Sequence, residues 1–318
     1  MRLASIAIIA LSTLLSTQIG APCATVYGKN PVALIDEKVI IVWDEDSQTQ
    51  HFVRKATFKG EEEDFGFIVP TPTQPQVVDV SDSAFNLLEY EFAPRGSVKP
   101  PFGGGGFGGS PSGVKVLQVK QVGDYKATVL KATDGRAMLA WLKDNSFEAR
   151  PGLMDWLDYY AKQDWVFTAL KYDRPTDSDE SQTTALRLSF KTVQPVYPYR
   201  MPADSWRAVE RQPMAIYFVA TGRAHGQFAD GRGRWNSELL GQGFLKKGTI
   251  EALAKDLKLS VSDLPDNPYL TAIKHLRTGT NWPDVVFSVT MVRSNERQWP
   301  GLAGLRSALT ETEDTGGP

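Results

Sequence analysis

The sequence predicts an α+β fold built on a mostly antiparallel or mixed sheet with several inserted helices. Three observations carry that reading. Extended segments come in groups, with helices inserted, rather than in strict strand–helix alternation. Residues 165–172 and 214–220 are apolar on both faces, as central strands are. Four further segments space their apolar residues as helices do. At 318 residues and 42% hydrophobic positions the chain can bury roughly three-quarters of its unfolded surface, so core material is not limiting.

Taken in order, residues 39–43 and 52–58 are extended runs separated by the turn formers Asp44-Glu45-Asp46-Ser47, and so predict a hairpin. Residues 65–69 predict a third strand, stopped by Pro70 and Pro72, which cannot donate to a ladder. Residues 83–92 predict a short helix capped by Ser81 or Asp82. Residues 100–113 are Gly-rich and read as a loop or linker. No Lys-Ser or Lys-Thr pair closes them, so they do not form a phosphate-binding loop.

Residues 114–122 and 125–130 predict two strands joined at Gly123-Asp124, with Tyr125, Ala127 and Val129 on one face. Thr133 caps a helix whose Ala137, Met138, Trp141 and Leu142 share a face. Pro151 opens the next, with Leu153, Trp156, Leu157 and Tyr160 on one side. Residues 184–191 alternate, turning Leu186, Leu188 and Phe190 inward. Glycines 222, 226, 231, 233, 241 and 243 mark a long irregular stretch. Residues 249–259 return to helical spacing, 285–291 form a last strand, and the polar tail is disordered.

The N-terminus has the layout of a secretory signal peptide: Arg2, an apolar run over residues 3–15, then the small residues Gly20 to Ala24. Cleavage after Cys23 or Ala24 satisfies the small-residue rule. Lipidation of Cys23 is disfavoured by Pro22 before it. The expected organisation is a leader over 1–24, an α+β domain of one lobe or two over 25–300 with the Gly-rich loop 102–113, and a tail over 301–318. No later segment reaches the roughly 18 apolar residues that a membrane helix needs. The mature chain is therefore expected to be extracytoplasmic, periplasmic or secreted, without a transmembrane helix. Its formal net charge of −2 excludes a dedicated nucleic-acid binder.

Few constellations carry chemistry. His51, His225 and His275 lie far apart, and the single cysteine sits at the leader junction, which leaves a zinc site or a cysteine nucleophile little to build on. Ser110 and Ser112 do not fit a hydrolase Gly-x-Ser-x-Gly turn. His225, beside glycines, reads as a surface histidine. Glu61-Glu62-Glu63-Asp64 reads as a solvated turn. Asp173, Asp177, Asp179 and Glu180 offer oxygen ligands between two strands, a weak calcium candidate that matches no defined calcium loop; no other cofactor is expected. Trp141, Trp156 and Trp165 fall on core faces, whereas Trp206, Trp235, Trp282 and Trp299 sit in irregular segments as candidates for exposed stacking on a ligand.

The order of certain segments resembles the domain of unknown function 2330 family of exported bacterial proteins. Those segments are the leader-junction cysteine, Asp64-Phe65-Gly66-Phe67-Ile68-Val69-Pro70-Thr71-Pro72, and Val122-Gly123-Asp124-Tyr125 leading through Ala132-Thr133-Asp134 to Leu139-Ala140-Trp141-Leu142. Trp165 to Lys171, Leu186 to Phe190, Pro195 to Arg200, Tyr269-Leu270-Thr271 and Asp284 to Phe287 complete it, over residues 23 to 290. The resemblance implies an extracytoplasmic protein and carries over no catalytic residue. Comparable members keep a Cys-Cys pair and many end in a membrane helix; this chain has Cys23 alone and ends in a polar, Gly-rich stretch.

Two functions from different classes follow. One is a non-catalytic binding or structural module of the cell envelope, its partner an envelope protein or glycan. The other is an extracytoplasmic hydrolase using paired carboxylates, which needs neither His nor Cys. Carboxylates facing each other across a cleft would favour the second.

Overall fold

The computed structural model describes residues 24–27, 33–59, 64–91, 114–123, 125–147, 149–173, 180–182, 184–206, 212–277 and 282–292. The expected leader through Cys23, the Gly-rich loop 102–113, acidic residues 61–63 and the tail lie outside them.

Strands β1 (Ala24–Tyr27), β2 (Ala33–Asp44), β3 (Thr49–Lys59), β4 (Asp64–Thr71) and β5 (Gln76–Asp79) precede helix α1 (Ser83–Tyr90). Then come β6 (Val114–Val122), β7 (Tyr125–Ala132), α2 (Gly135–Asp144), and α3 (Met154–Ala161) behind a 3-10 turn at Pro151–Leu153. Next are β8 (Val166–Asp173), β9 (Glu180–Gln182), β10 (Leu186–Lys191), β11 (Val196–Tyr197) and α4 (Ala203–Trp206). The last are β12 (Gln212–Ala220), β13 (Gly222–Phe228), β14 (Glu238–Phe244), α5 (Lys247–Asp256), β15 (Tyr269–Arg277) and β16 (Val285–Met291).

These strands form three sheets. One runs β1-β4-β8-β7-β6; a second runs β14-β15-β12-β2-β3-β10-β5, with β9 added to β3; a third runs β11-β16-β13. Among the described strands only β2 and β12 pair in parallel, so the α+β expectation of a mostly antiparallel sheet holds. Period-2 alternation then builds layers. Val39, Ile41 and Trp43 of β2 point into a core shared with Phe67 of β4, Tyr125 of β7 and Phe287 of β16. Ile40 and Val42 point the other way, onto Phe85 and Leu88 of α1 and Leu253 of α5. The outer face of the first sheet, through Ile68, Leu130 and Phe167, is covered by Met138, Trp141 and Leu142 of α2 and Trp156 and Leu157 of α3. The order is helices, large sheet, two smaller sheets, helices. Trp141 and Trp156 are core residues, as their helical spacing requires.

Several sequence expectations shift. Pro70 lies inside β4, opposite Phe167 of β8, instead of ending the strand. β1 reaches only as far as Ile68, so at Pro70 one side of β4 has no described partner, and a missing N–H is tolerated there. The cap of α2 is Asp134, whose carboxylate accepts from Ala137 N at 2.8 Å; Thr133 only contacts Asp134. Asp82 precedes α1, but its carboxylate accepts from Ala185 N at 3.1 Å and pairs with Lys55 at 2.7 Å instead of capping. β8 and β10 belong to different sheets, so these two strands do not pair as a hairpin. The expected irregular stretch from 222 to 243 contains two strands, β13 and β14, and these bound the site described next.

Candidate functional site

The glycines of β13 are there for packing. A Cβ on Gly222 would run into the backbone oxygen of Thr290 on β16, and a Cβ on Gly226 would stand 2.8 Å from Cε3 of Trp235. After β13 the chain reverses through Gly231 (φ +78°) and Gly233 (φ +124°), conformations an L side chain rarely adopts. It returns beside β13, with Gln227 bridged to Arg234 and Trp235 N donating to Gly226 O at 3.1 Å. The Trp235 ring thereby lies against the bare face of Gly226, 4% exposed.

Between this return, β14 and β15 lies a groove of about 480 Å³. Arg223, His225 and Gly226 form one wall, Arg234 to Ser237 a second, Leu239 and Gln242 of β14 a third, and Thr271 and Ile273 of β15 the floor. Ala224 N donates to Thr271 Oγ1 at 3.1 Å and ties wall to floor. Arg223 Nε and Gln242 Oε1 are shielded from solvent and have no hydrogen-bond partner among the described residues. Burial lowers the His225 pKa, and the charges of Arg223 and Arg234 lower it further.

The groove wall is anchored to the core by a polar chain. His275 Nδ1 lies 2.7 Å from Asn236 O, and its Nε2 lies 2.7 Å from Tyr199 Oη. A backbone oxygen only accepts, so Nδ1 carries the proton and Tyr199 donates to Nε2. Burial drives the His275 pKa down to about 4, and the nearby Arg277 charge works in the same direction. Arg277 is 2% exposed; its guanidinium sits 4.2 Å over the Tyr199 ring and donates to Tyr197 Oη at 3.2 Å. Tyr197 donates to Glu37 at 3.0 Å, and Arg54 Nε donates to the other Glu37 oxygen at 2.6 Å. One buried carboxylate thus answers two buried cations, Arg54 directly and Arg277 through Tyr197, and the far end of the chain holds the Asn236 carbonyl in the groove wall.

Other constellations are structural. Ser189 Oγ lies 2.8 Å from His51 Nδ1, a cross-strand pair between β10 and β3 that no sequence motif shows. Ser189 is in mid-strand, hydrogen-bonded on both sides, and burial followed by the Arg187 charge lowers His51 to about 4, too weak a base to activate a hydroxyl near neutrality. Burial raises the carboxyls of Asp36, Asp256 and Asp284, yet none of the three lines the groove. Asp284 instead accepts from Tyr160 Oη at 2.6 Å and Arg200 N at 3.0 Å. Among the described residues no three His, Cys, Asp or Glu side chains stand close enough to hold a metal ion.

Of the tryptophans suggested for stacking, Trp235 lines the groove as a buried wall, and Trp282 stacks on Phe228 at 5.1 Å and 2° between planes. Trp206 ends α4, and Trp299 lies outside the described residues. Of the calcium candidates, Asp173 ends β8 and Glu180 begins β9, while Asp177 and Asp179 lie outside. Ala24 opens β1 and pairs with Ile68. Sequence reasoning did not single out Arg223, Arg234, Gln242 and Thr271. A usable signal was the alternation of Thr271, Ile273, His275 and Arg277, one inward face of a strand that is largely polar.

No described helix is long and apolar enough to cross a membrane. No curated protein and no solved structure matches the chain. A family model described as "uncharacterized protein conserved in bacteria (DUF2330)" matches residues 18–305. That span takes in every described element and the ordered segments on which the sequence resemblance rested, and the chain belongs to the DUF2330 family.

Proposed function

We propose that the protein is an exported, non-catalytic binding module of the cell envelope, and that the groove between β13, β14 and β15 is where it holds its ligand. The observation that carries this reading is the groove itself: a concave space whose lining mixes polar and apolar side chains, on walls fixed by a buried hydrogen-bonded chain. Such pre-organisation lowers the cost of ordering on binding. The lining carries no carboxylate, which weighs against a hydrolase built on paired carboxylates. Export is supported by the leader-like N-terminus.

The test is a pull-down from envelope extract with tagged mature protein, run beside Ser237→Trp, which fills the groove mouth. A glycan or protein retained by the first and lost by the second supports the reading. Turnover of generic esterase, phosphatase, peptidase or glycosidase substrates that disappears on substituting one Asp or Glu overturns it. Mass spectrometry of the mature N-terminus is expected to start it near Cys23 to Thr25; an intact Met1 on cytoplasmic protein would contradict export.

A further inference from the structure

The groove has a one-sided charge pattern that narrows its ligand. Arg223 and Arg234 both line it, and among the described residues neither makes an ion pair. The nearest acids in sequence are turned away or occupied. Asp230 is held by Arg232 at 2.7 Å. Glu238 stands in register with Lys274, whereas its neighbour Leu239 stands in register with Ile273, and it is Leu239 and Ile273 that line the groove. Alternation therefore puts Glu238 and Lys274 on the opposite face of the sheet. The buried Glu37 is neutralised by Arg54. Two cations without a counter-ion at the rim of a partly apolar space are stable in water but leave the groove electrostatically incomplete.

We infer that the groove takes a ligand carrying a carboxylate or phosphate, with Arg223 and Arg234 on the anion and the ligand's less polar body against Trp235, Leu239 and Ile273. This rests on the groove being the binding site. Arg223 is the more selective of the two, because it is half-buried where Arg234 is exposed, so its bond to an anion is less screened by solvent. Arg234 is exposed and acts mainly by attraction over distance. Gln242, a neutral amide in the same lining, can hydrogen-bond a ligand hydroxyl. An acidic sugar combines these features: anion, hydroxyls and an apolar ring face.

Four hexose probes separate the possibilities: glucuronate, glucose 6-phosphate, glucose and glucosamine, titrated calorimetrically into the full-length mature protein at low salt. At least one anion is expected to bind about tenfold or more tightly than glucose, with glucosamine weakest, and added salt is expected to erode the difference. Glucuronate against glucose 6-phosphate decides between carboxylate and phosphate. Arg223→Gln and Arg234→Gln are each expected to lower anion affinity several-fold and leave glucose unchanged. Arg234→Gln, at an exposed position, keeps the test readable should Arg223→Gln fail to fold. Equal binding of all four sugars, abolished by Ser237→Trp, overturns the anion inference and leaves the groove reading intact. Failure of both anions to bind also overturns it, and the envelope pull-down then decides the groove reading separately.

Discussion

Glu37 is the residue on which the buried polar chain converges. Its two oxygens serve Arg54 and Tyr197, and through Tyr197 it answers the charge of Arg277. Glu37→Ala leaves both arginines without their carboxylate inside the sandwich, and is expected to cost about 3–5 kcal/mol in denaturant unfolding. Glu37→Gln keeps the shape and acceptors and is expected to cost less; equal losses would show that packing, not charge, matters there. Gly226 makes a second residue-scale case. Gly226→Ala puts a methyl against Trp235, and an overpacking loss of about 1–3 kcal/mol with a displaced indole is expected. Near-infrared or visible spectra cannot see that shift, but the ultraviolet fluorescence of Trp235 can, by difference from a Trp235→Phe background. A spectrum and melting point matching the parent would mean that the ring is free to move aside.

Among the elements, α2 shows how local chemistry decides between two readings of one sequence. Thr133 and Asp134 are both good caps, and propensity does not choose. The structure uses Asp134, whose carboxylate reaches Ala137 N. Asp134→Ala is expected to destabilise by about 0.5–2 kcal/mol and Thr133→Ala to be close to neutral in thermal unfolding; the reverse ranking would refute the assignment. Elements were legible wherever pattern and burial agree: β10 shows alternating Leu186, Leu188 and Phe190, and α3 shows Trp156, Leu157 and Tyr160 on one face. β13 was not legible, because its glycines answer the approach of β16 and Trp235, a contact that local sequence does not display. Gly241 and Gly243 likewise interrupt the pattern of β14. β15 was hidden for another reason. Its inward face carries Thr271, His275 and Arg277, so a buried strand reads as a polar one. The groove inherits both difficulties, since its walls come from exactly those strands.

For the whole molecule, acidity should act through the histidines. His51 and His275 are held near pKa 4, and burial and the neighbouring arginines also lower His225. All three are neutral in the native state near neutrality, while in the unfolded chain they titrate near 6.5. The unfolded state then binds more protons between about pH 6.5 and 4, so stability falls as pH drops through that window and is regained above it. Asp36, Asp256 and Asp284 oppose the trend, because burial raises their native pKa and the folded protein takes up those protons first. Denaturant midpoints across the window are expected to decline towards acid, and His275→Gln to flatten part of the decline. A flat profile in the parent would show that the carboxyls cancel the histidines.

The one parallel pairing among the described strands has a consequence in time. β2 lies between β3, its immediate successor, and β12, which joins residues 37–42 to residues 214–219. The β2–β3 hairpin is thus the middle of the large sheet: β10 fills its β3 edge, and its β2 edge is filled only by a strand made much later. Until then the cluster around Val39, Ile41 and Trp43 lacks Ile216, Phe218 and Phe287, and the cluster around Ile40 and Val42 lacks Tyr217, Val219 and Leu253. Pairings so distant along the chain are slow to close and leave strand edges exposed meanwhile. The large sheet is consequently completed late, and a ribosome stalled before β12 would release a β2 edge whose partner strand has not been made.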